Sequence, residues 1–362
     1  AITDASGGNT TYFFGATATT ENLMGRNRIL NGAMEIAQRG TSAVTASGSY
    51  PVDRFPVFYS MDGAVSLQQD SSAPAGFINS TKFTTTTADA SLSASQYVLF
   101  QHKIEGTNIA DLAWGTASAK TVTLSFWVRS SLTGTFSGSL VNNGFDRSYP
   151  FTYSISAADT WEQKSITIAG DTTGTWLTTN GVGIRISWSL GVGSNFQGTA
   201  NTWAGAEYYG ASGETPVIGT LNATWYITGV QLEAGSVATS FERRSYGQEL
   251  ALCQRYFQIA GTDTIVPIGL GVIRSTTSIT VIANHLVSMR SMPSVIESDA
   301  TMEYRQNGAS NTNTTSATVG IDQQSVNITA INIGGFSGLI AGQATQVKVN
   351  SAGVFLGLSA EL

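Results

Sequence analysis

The chain of 362 residues holds two histidines, one cysteine and 24 acidic side chains, and their spacing decides what chemistry they could share. His102 sits in LFQHKIEG and His285 in IANHLVSM. Both segments read as strands or strand ends, and neither histidine has a G-x-S-x-G partner presenting a serine nucleophile. Cys253 recurs at helical spacing with Tyr246, Leu250 and Phe257, so it reads as a small core residue, and a lone cysteine forms no intrachain disulfide. Hydrolysis of a glycosidic bond needs two carboxyl groups about 5 to 10 Å apart. Asp62, Asp70, Glu105, Asp111, Asp146, Asp159, Glu162, Glu207 and Glu214 are the candidates, and none stands in a recognisable motif. They read as solvated acids and turn formers. There is no phosphate-binding loop, no G-x-G-x-x-G in a βαβ setting and no zinc spacing. The expectation is therefore no enzyme, no catalytic residue, no cofactor and no metal.

Binding chemistry is better represented. A sugar ring has weakly apolar faces and polar edges, so its sites pair an aromatic platform with side-chain amides, carboxylates or backbone groups. Trp203, Tyr208 and Tyr209, set among Asn201, Glu207 and several glycines, have that composition. Trp114 in NIADLAWGTASA and Trp176 in TGTWLTTNG are second candidates. The competing expectation is that these aromatics plug the ends of a sandwich or a subunit interface, where large aromatics are equally typical. Trp127 and Trp188 fall on strands and read as packing residues.

Such residues must be positioned by the rest of the chain, whose composition is that of a β protein. Charged residues make up 12%, about half the usual share near 25%, and 39 glycines with abundant Ser, Thr and Asn fill the gap. The net charge of −6 lacks the clustered Lys and Arg that a phosphate backbone requires. No apolar run approaches a membrane span, and no signal peptide is recognisable. TVTLSFWVR at 121–129 puts Val122, Leu124, Phe126 and Val128 on one face. GVGIRISWSL at 181–190 opposes Val182, Ile184, Ile186, Trp188 and Leu190 to Arg185, Ser187 and Ser189. This period of two predicts half-buried antiparallel strands, and Asn31-Gly32, Asn143-Gly144 and Asn180-Gly181 are turn signals. Asp53 and Arg54 are placed to form a local ion pair. Residues 191–220 form a long Gly-rich loop, a length that favours a functional role or disorder.

Asn222 to Phe257 joins a strand, a turn at Ala234-Gly235 and a helix. Trp225, Ile227 and Gly229 alternate with Tyr226, Thr228 and Val230. Ser245 stands at an N-cap with Gln248 three residues on, and Tyr246, Leu250, Cys253 and Phe257 share a face of a helix of about three turns. Further strands are expected at 265–273, 278–287, 295–297, 325–333 and 345–358, with NGASNTNTTS at 307–316 as a turn-rich loop.

Two stretches resemble a known family. ITGVQLEAGSVATSFERRSYGQELALCQRY, from Ile227 to Tyr256, is similar to a segment of the distal parts of bacteriophage tail fibres and tail proteins, where it closes a carbohydrate-binding-like jelly roll and leads into a C-terminal β domain. NRILNGAMEIAQRGTS followed by YPVDRF resembles that domain's opening, and Met289, Arg290, Pro293 and Val295 with a final Ala360-Glu361-Leu362 resemble its C-terminal partner. The resemblance implies an all-β fold: a large jelly-roll β-sandwich, a short hinge helix and a smaller C-terminal β-sandwich. The expected divisions are an extended arm over 1–28, the jelly roll over 29–244, the connecting helix over 245–260 and the C-terminal domain over 261–362. It also implies a virion tail-fibre or receptor-binding structural protein that recognises host surface polysaccharide or lipopolysaccharide without catalysis. Such a protein is a homotrimer joined to other tail proteins through an N-terminal or preceding region and works outside the host cell. A polysaccharide depolymerase and a purely architectural virion component are the alternatives. Jelly-roll modules often hold a structural calcium; Glu35 in NGAMEIA matches one ligand, but the second position is Gln231 in GVQLEAG, a neutral and poorer ligand for a hard cation. No metal is assigned.

Overall fold

Alternating apolar and polar residues drive residues 57–234 into two facing antiparallel sheets. The computed structural model describes residues 25–262, 268–297, 302–306, 309–314, 318–337, 339–349 and 355–362. The expected arm over 1–24, with Tyr12, Phe13 and Phe14, lies outside the described residues. Residues 25–28, assigned to that arm from sequence, instead lie against the sandwich. Asn27 is buried, and the Gly25 and Asn27 amides donate to the Glu242 carboxylate at 2.6 and 2.7 Å.

The jelly roll comprises β1 (Val57–Ser60), β2 (Ala64–Asp70), β3 (Ser80–Thr87), β4 (Tyr97–Glu105), β5 (Val122–Ser130), β6 (Gly134–Val141), β7 (Ser148–Ile155), β8 (Glu162–Ile168), β9 (Val182–Val192) and β12 (Thr224–Ala234). A two-residue parallel pair, β10 (Gln197–Gly198) and β11 (Gly210–Ala211), interrupts the long loop between β9 and β12. One sheet has the order β1-β4-β9-β6-β7, the other β2-β3-β12-β5-β8. Between them lies one apolar core containing Val122, Leu124, Phe126 and Val128 of β5 and Ile184, Ile186, Trp188 and Leu190 of β9, the faces the alternation predicts. β12 departs from simple alternation. Its register with β5 slips between Thr228 and Gln231, at Gly229 with φ +62, so Val230 and Leu232 join Trp225 and Ile227 in the core. A Cβ at Gly229 would lie 2.7 Å from the Phe77 ring, which is why glycine is needed at this bulge.

Past β12 the Ser245 hydroxyl accepts the Gln248 amide at 3.4 Å and caps α1 (Tyr246–Gln254). The expected buried stripe is only partly formed: Cys253 and Phe257 are buried, but Tyr246, in the first helical position, is 60% exposed. Phe257 already belongs to the next strand, so the helix meets its neighbours through its later residues. The C-terminal domain sandwiches a three-stranded sheet of β13 (Phe257–Thr262), β22 (Phe355–Ser359) and β16 (Ser294–Glu297) on a seven-stranded one. The latter is built from β14 (Gly269–Ile273), β15 (Ser278–Asn284), β17 (Met302–Gln306), β18 (Ala309–Thr314), β19 (Thr318–Gln324), β20 (Ile328–Gly334) and β21 (Ala344–Val349). The tract expected as a loop over 307–316 contains the edge strand β18, because β17 supplies backbone partners that its turn-forming Asn and Thr side chains do not announce. The expected strand over 345–358 is two strands, β21 and β22, in different sheets.

The junction between the domains is polar. Glu105, at the end of β4, accepts from Arg255 at 2.8 and 3.1 Å and from the Tyr256 hydroxyl at 2.7 Å. Asp53 and Arg54 do not pair with each other as expected from sequence. Arg54 pairs with Glu361 across the junction, and Asp53 takes the Gln38 amides with Arg39 at 3.7 Å. Adjacent residues on an irregular chain point apart, so distant partners win. Burial pushes the Asp53 carboxyl up to about 6.

Candidate functional site

The Gly-rich loop 191–220 straddles the free edge of β7, and this divides the aromatics that the sequence groups together. Trp203 lies on the core side. Its ring centroid is 5.4 Å from that of Trp114 and 5.5 Å from that of Trp176, and these two are 4.7 Å apart. Their indole N–H groups donate to the Lys120 carbonyl (Trp114), the Asp171 carboxylate (Trp176) and the Ala169 carbonyl (Trp203) at 2.8, 3.2 and 2.8 Å. Arg147 braces the cluster through two 2.7 Å bonds to Asp171. With Trp114 and Trp176 only 6 and 7% exposed, the trio closes one end of the sandwich and these two offer no open ring face to a sugar. Asn201 is exposed on the same turn with φ +60, and Tyr208 lies between the two sides, against Gly198.

Tyr209 and Glu207 fall on the other side of the edge, over the outer face of the sheet β1-β4-β9-β6-β7. The Tyr209 hydroxyl donates to the Glu207 carboxylate, and its ring, 8% exposed, packs on Tyr97 and Phe196 at 5.7 and 5.1 Å. This outer face is set by alternation: Val98, Phe100 and Ile104 of β4 enter the core, so Tyr97, Leu99, Gln101 and Lys103 face outward. On β9 the outward residues are Arg185, Ser187 and Ser189; on β6 they are Ser137, Ser139 and Val141.

The loop roofs part of this face. β11 crosses it, where the Ala211 amide donates to the Ser137 hydroxyl at 3.0 Å. The Glu214 carboxyl is turned inward and takes the Ser189 hydroxyl at 2.6 Å, the Val192 amide at 3.0 Å and the Ser137 hydroxyl. Burial pushes its pKa up to about 7, against these three bonds. At the far end the C-terminal domain closes the face, with the Lys103 ammonium donating to the Leu362 carbonyl at 2.6 Å. Beneath this cover Gln101, hydrogen-bonded to Ser187 at 3.0 Å, Ser139 and Arg185 are buried, and Lys103 is half-buried. Tyr97 is half-buried, and Phe145, whose ring lies 4.1 Å from the Arg185 guanidinium, is 38% exposed.

The side chains that remain accessible on this face are therefore aromatic and polar, half-buried Tyr97 and Lys103 and the exposed Phe145, the mixture a sugar site uses. Of the sequence candidates, Glu207 and Tyr209 lie beside them. Sequence inspection missed Tyr97, Lys103 and Phe145. The alternation of GVGIRISWSL places Arg185 on the same face, but nothing local shows that a loop covers it.

Gln231 does not meet Glu35. Its amide nitrogen is instead surrounded by the Glu233 carboxylate at 2.8 Å and by Thr239 and Ser240 oxygens at 3.3 to 3.5 Å. Among the described residues no group of three or more His, Cys, Asp and Glu side chains is arranged to hold a metal, and no helix is long and apolar enough to cross a membrane. His285 is engaged by the Val326 carbonyl and the Thr329 hydroxyl at 2.8 and 2.9 Å, and His102 is buried beside Phe55.

No protein-family model matches the sequence, and no curated protein matches it. Among solved structures, the chain is similar to the enzymatically active domain of tailspike protein 4 of bacteriophage CBA120, at 11% identity and TM-score 0.34, over 58% of this chain and 22% of that one. TmCBM61 in complex with beta-1,4-galactotriose is 10% identical with a TM-score of 0.30, over 58% of this chain and 99% of that one. A family 11 carbohydrate-binding module from Clostridium thermocellum, in complex with a beta-1,3-1,4-mixed-linked tetrasaccharide, is 10% identical with a TM-score of 0.28, over 55% and 99% of the two chains. Likenesses this weak carry nothing about ligand or activity, and the all-β, two-sandwich architecture stands on the strands and cores of the chain itself.

Proposed function

We propose that this chain is a glycan-binding structural part of a phage virion, a tail-fibre or receptor-binding segment that holds host surface polysaccharide or lipopolysaccharide without cleaving it. The observation that carries the binding is the outer face of β4, β9 and β6, where half-buried Tyr97 and Lys103 and the exposed Phe145 remain accessible beside one another. The resemblance of Ile227 to Tyr256 to phage tail segments supports the setting. Binding without hydrolysis is favoured by the two acids beside this face. Glu207 is held by the Tyr209 hydroxyl and Glu214 by two serines and an amide, so neither is presented outward as an acid or base. A homotrimer would present three such faces, and linked weak sites gain avidity without new contacts.

The test is a panel of bacterial surface polysaccharides in affinity electrophoresis with the purified chain, together with an assay for released reducing ends. Tyr97→Ala is expected to weaken binding roughly five-fold, the equivalent of about 1 kcal/mol for one aromatic contact. Trp203→Ala should lower the melting temperature and leave affinity unchanged. Released oligosaccharides would overturn the non-catalytic assignment. Binding that ignores Tyr97 and follows Trp203 would move the site to the tryptophan cluster.

A further inference from the structure

The outer face of the seven-stranded sheet in the C-terminal domain is apolar where a solvated face would be polar. Among the described residues, eight of the thirteen exposed large hydrophobic side chains lie between Leu270 and Ile340, although the jelly roll is the larger domain. On the inner face Ile273, Ile279, Val281, Ile331 and Ile333 fill the core. By alternation Leu270 and Val272 of β14, Ile282 of β15 and Ile328 of β20 point the other way; Leu270 is 72% exposed and the other three 40 to 46%. IGLGVI at 268–273 and ITVIA at 279–283 are therefore nearly continuous apolar runs, the composition of strands buried on both faces. The chain buries only one of those faces.

The patch has a centre and a border. β14 is the fourth of the seven strands, and the register sets Leu270 opposite Gln346, and Val272 between Ala344 of β21 and Thr280 of β15. Beside Leu270 lies a depression of about 310 Å³ lined by Val272, Thr280, Ile282 and Ala344. The exposed Asn284, Asn332 and Gln346 surround this centre, with Arg274 and Asp322 paired at 3.7 Å. An apolar centre within a polar rim is the anatomy of a protein interface. Seven strands about 4.8 Å apart, with five to seven residues each at about 3.3 Å, make a face on the order of 30 by 20 Å. The accessible area of such a corrugated face exceeds its footprint, which brings it to the roughly 800 Å² that each partner contributes to a stable complex.

The rim also indicates the partner. Arg274 and Asp322 already neutralise each other, so they present no field that selects a charged protein. The amides donate and accept equally and can pair with copies of themselves. Leu270 projects beside a hollow, so across a symmetry axis near β14 the knob of one copy meets the hollow of the next.

We propose that this face joins copies of the chain, with Leu270 at the centre of the contact. It gives a surface to the homotrimer named above and stands without any glycan.

The experiment is sedimentation velocity of the full chain across the micromolar range, where a mass of two or more copies is expected. Leu270→Lys and Ile282→Lys should each weaken association at least about ten-fold, because each puts a charge into an apolar contact. Leu221→Lys, at an exposed position in the jelly-roll domain, should leave association unchanged. All three side chains are exposed, so the fold is retained, and near-ultraviolet circular dichroism checks this. Maleimide labelling of Leu270→Cys reports what covers the face, since the native Cys253 is buried. Labelling that slows as the protein associates supports the proposal. A monomer that labels fast has the face bare, a monomer that labels slowly has it covered from within its own chain, and an oligomer indifferent to both lysine variants is joined elsewhere. Each of these three results overturns the proposal and leaves the glycan reading standing, because that face lies on the jelly roll.

Discussion

Substituting Glu105 by Gln tests how the two domains are held together. The Glu105 side chain is 1% exposed and receives Arg255 twice, the Tyr256 hydroxyl and the Thr107 hydroxyl. Gln has nearly the same shape, so no cavity forms; what changes is the charge, and one end of the new amide donates toward Arg255 or Tyr256. Hydrogen bonds to a charged group are worth about 1.5 to 3 kcal/mol, and removing one side of a buried pair costs about 3 to 5 kcal/mol. Arg255 is 38% exposed and recovers water, which places the loss at about 2 to 3 kcal/mol. At about 3 °C per kcal/mol for a domain of this size, calorimetry at pH 7 should show a drop of about 6 to 9 °C. The pH dependence supplies the sharper check. Burial raises the Glu105 pKa, but the bonds from Arg255 and Tyr256 outweigh it and hold the carboxyl below its ordinary 4.5. A carboxyl depressed in the folded state stabilises above its unfolded pKa, and that contribution is lost as the pH falls through the folded value. The gap between wild type and Glu105→Gln should therefore narrow as the pH drops below about 4. An unchanged melting temperature at pH 7, or a gap as wide at pH 3 as at pH 7, would refute this account of the junction.

Glu214 should behave in the opposite sense. Its carboxyl is raised to about 7 in the folded chain, so the native state holds the proton more tightly, and stability present below pH 4.5 is lost as the pH rises through 7. Between pH 5 and 8 urea midpoints of the wild type should decline by the equivalent of about 2 kcal/mol more than those of Glu214→Gln; parallel declines would show the roof over Ser137 and Ser189 to be uncoupled from that proton. Gly229→Val should cost about 2 to 3 kcal/mol in equilibrium unfolding, since it puts a branched side chain at positive φ and against the Phe77 and Trp127 rings. A loss under about 0.5 kcal/mol would mean that the bulge in β12 is not built around this glycine.

The low charge, the many glycines and the alternation in TVTLSFWVR and GVGIRISWSL were enough to determine an all-β chain, the core faces of β5 and β9 and the capped helix at Ser245. These are local properties, since a period of two and a cap box are written within a few residues. The tertiary structure decided the rest. Trp203 and Tyr209 are six positions apart in one loop, yet one packs on the main core and the other on the outer face of the sheet, because the loop crosses the edge of β7 between them. Arg185 and Lys103 are more than eighty positions apart in sequence and become neighbours through the register of β4 and β9. Arg54 finds Glu361 at the other end of the chain instead of the adjacent Asp53. Alternation shows which side chains leave the core, but which of them become neighbours on one face depends on strand order, and strand order is set by long-range pairing that no single segment encodes.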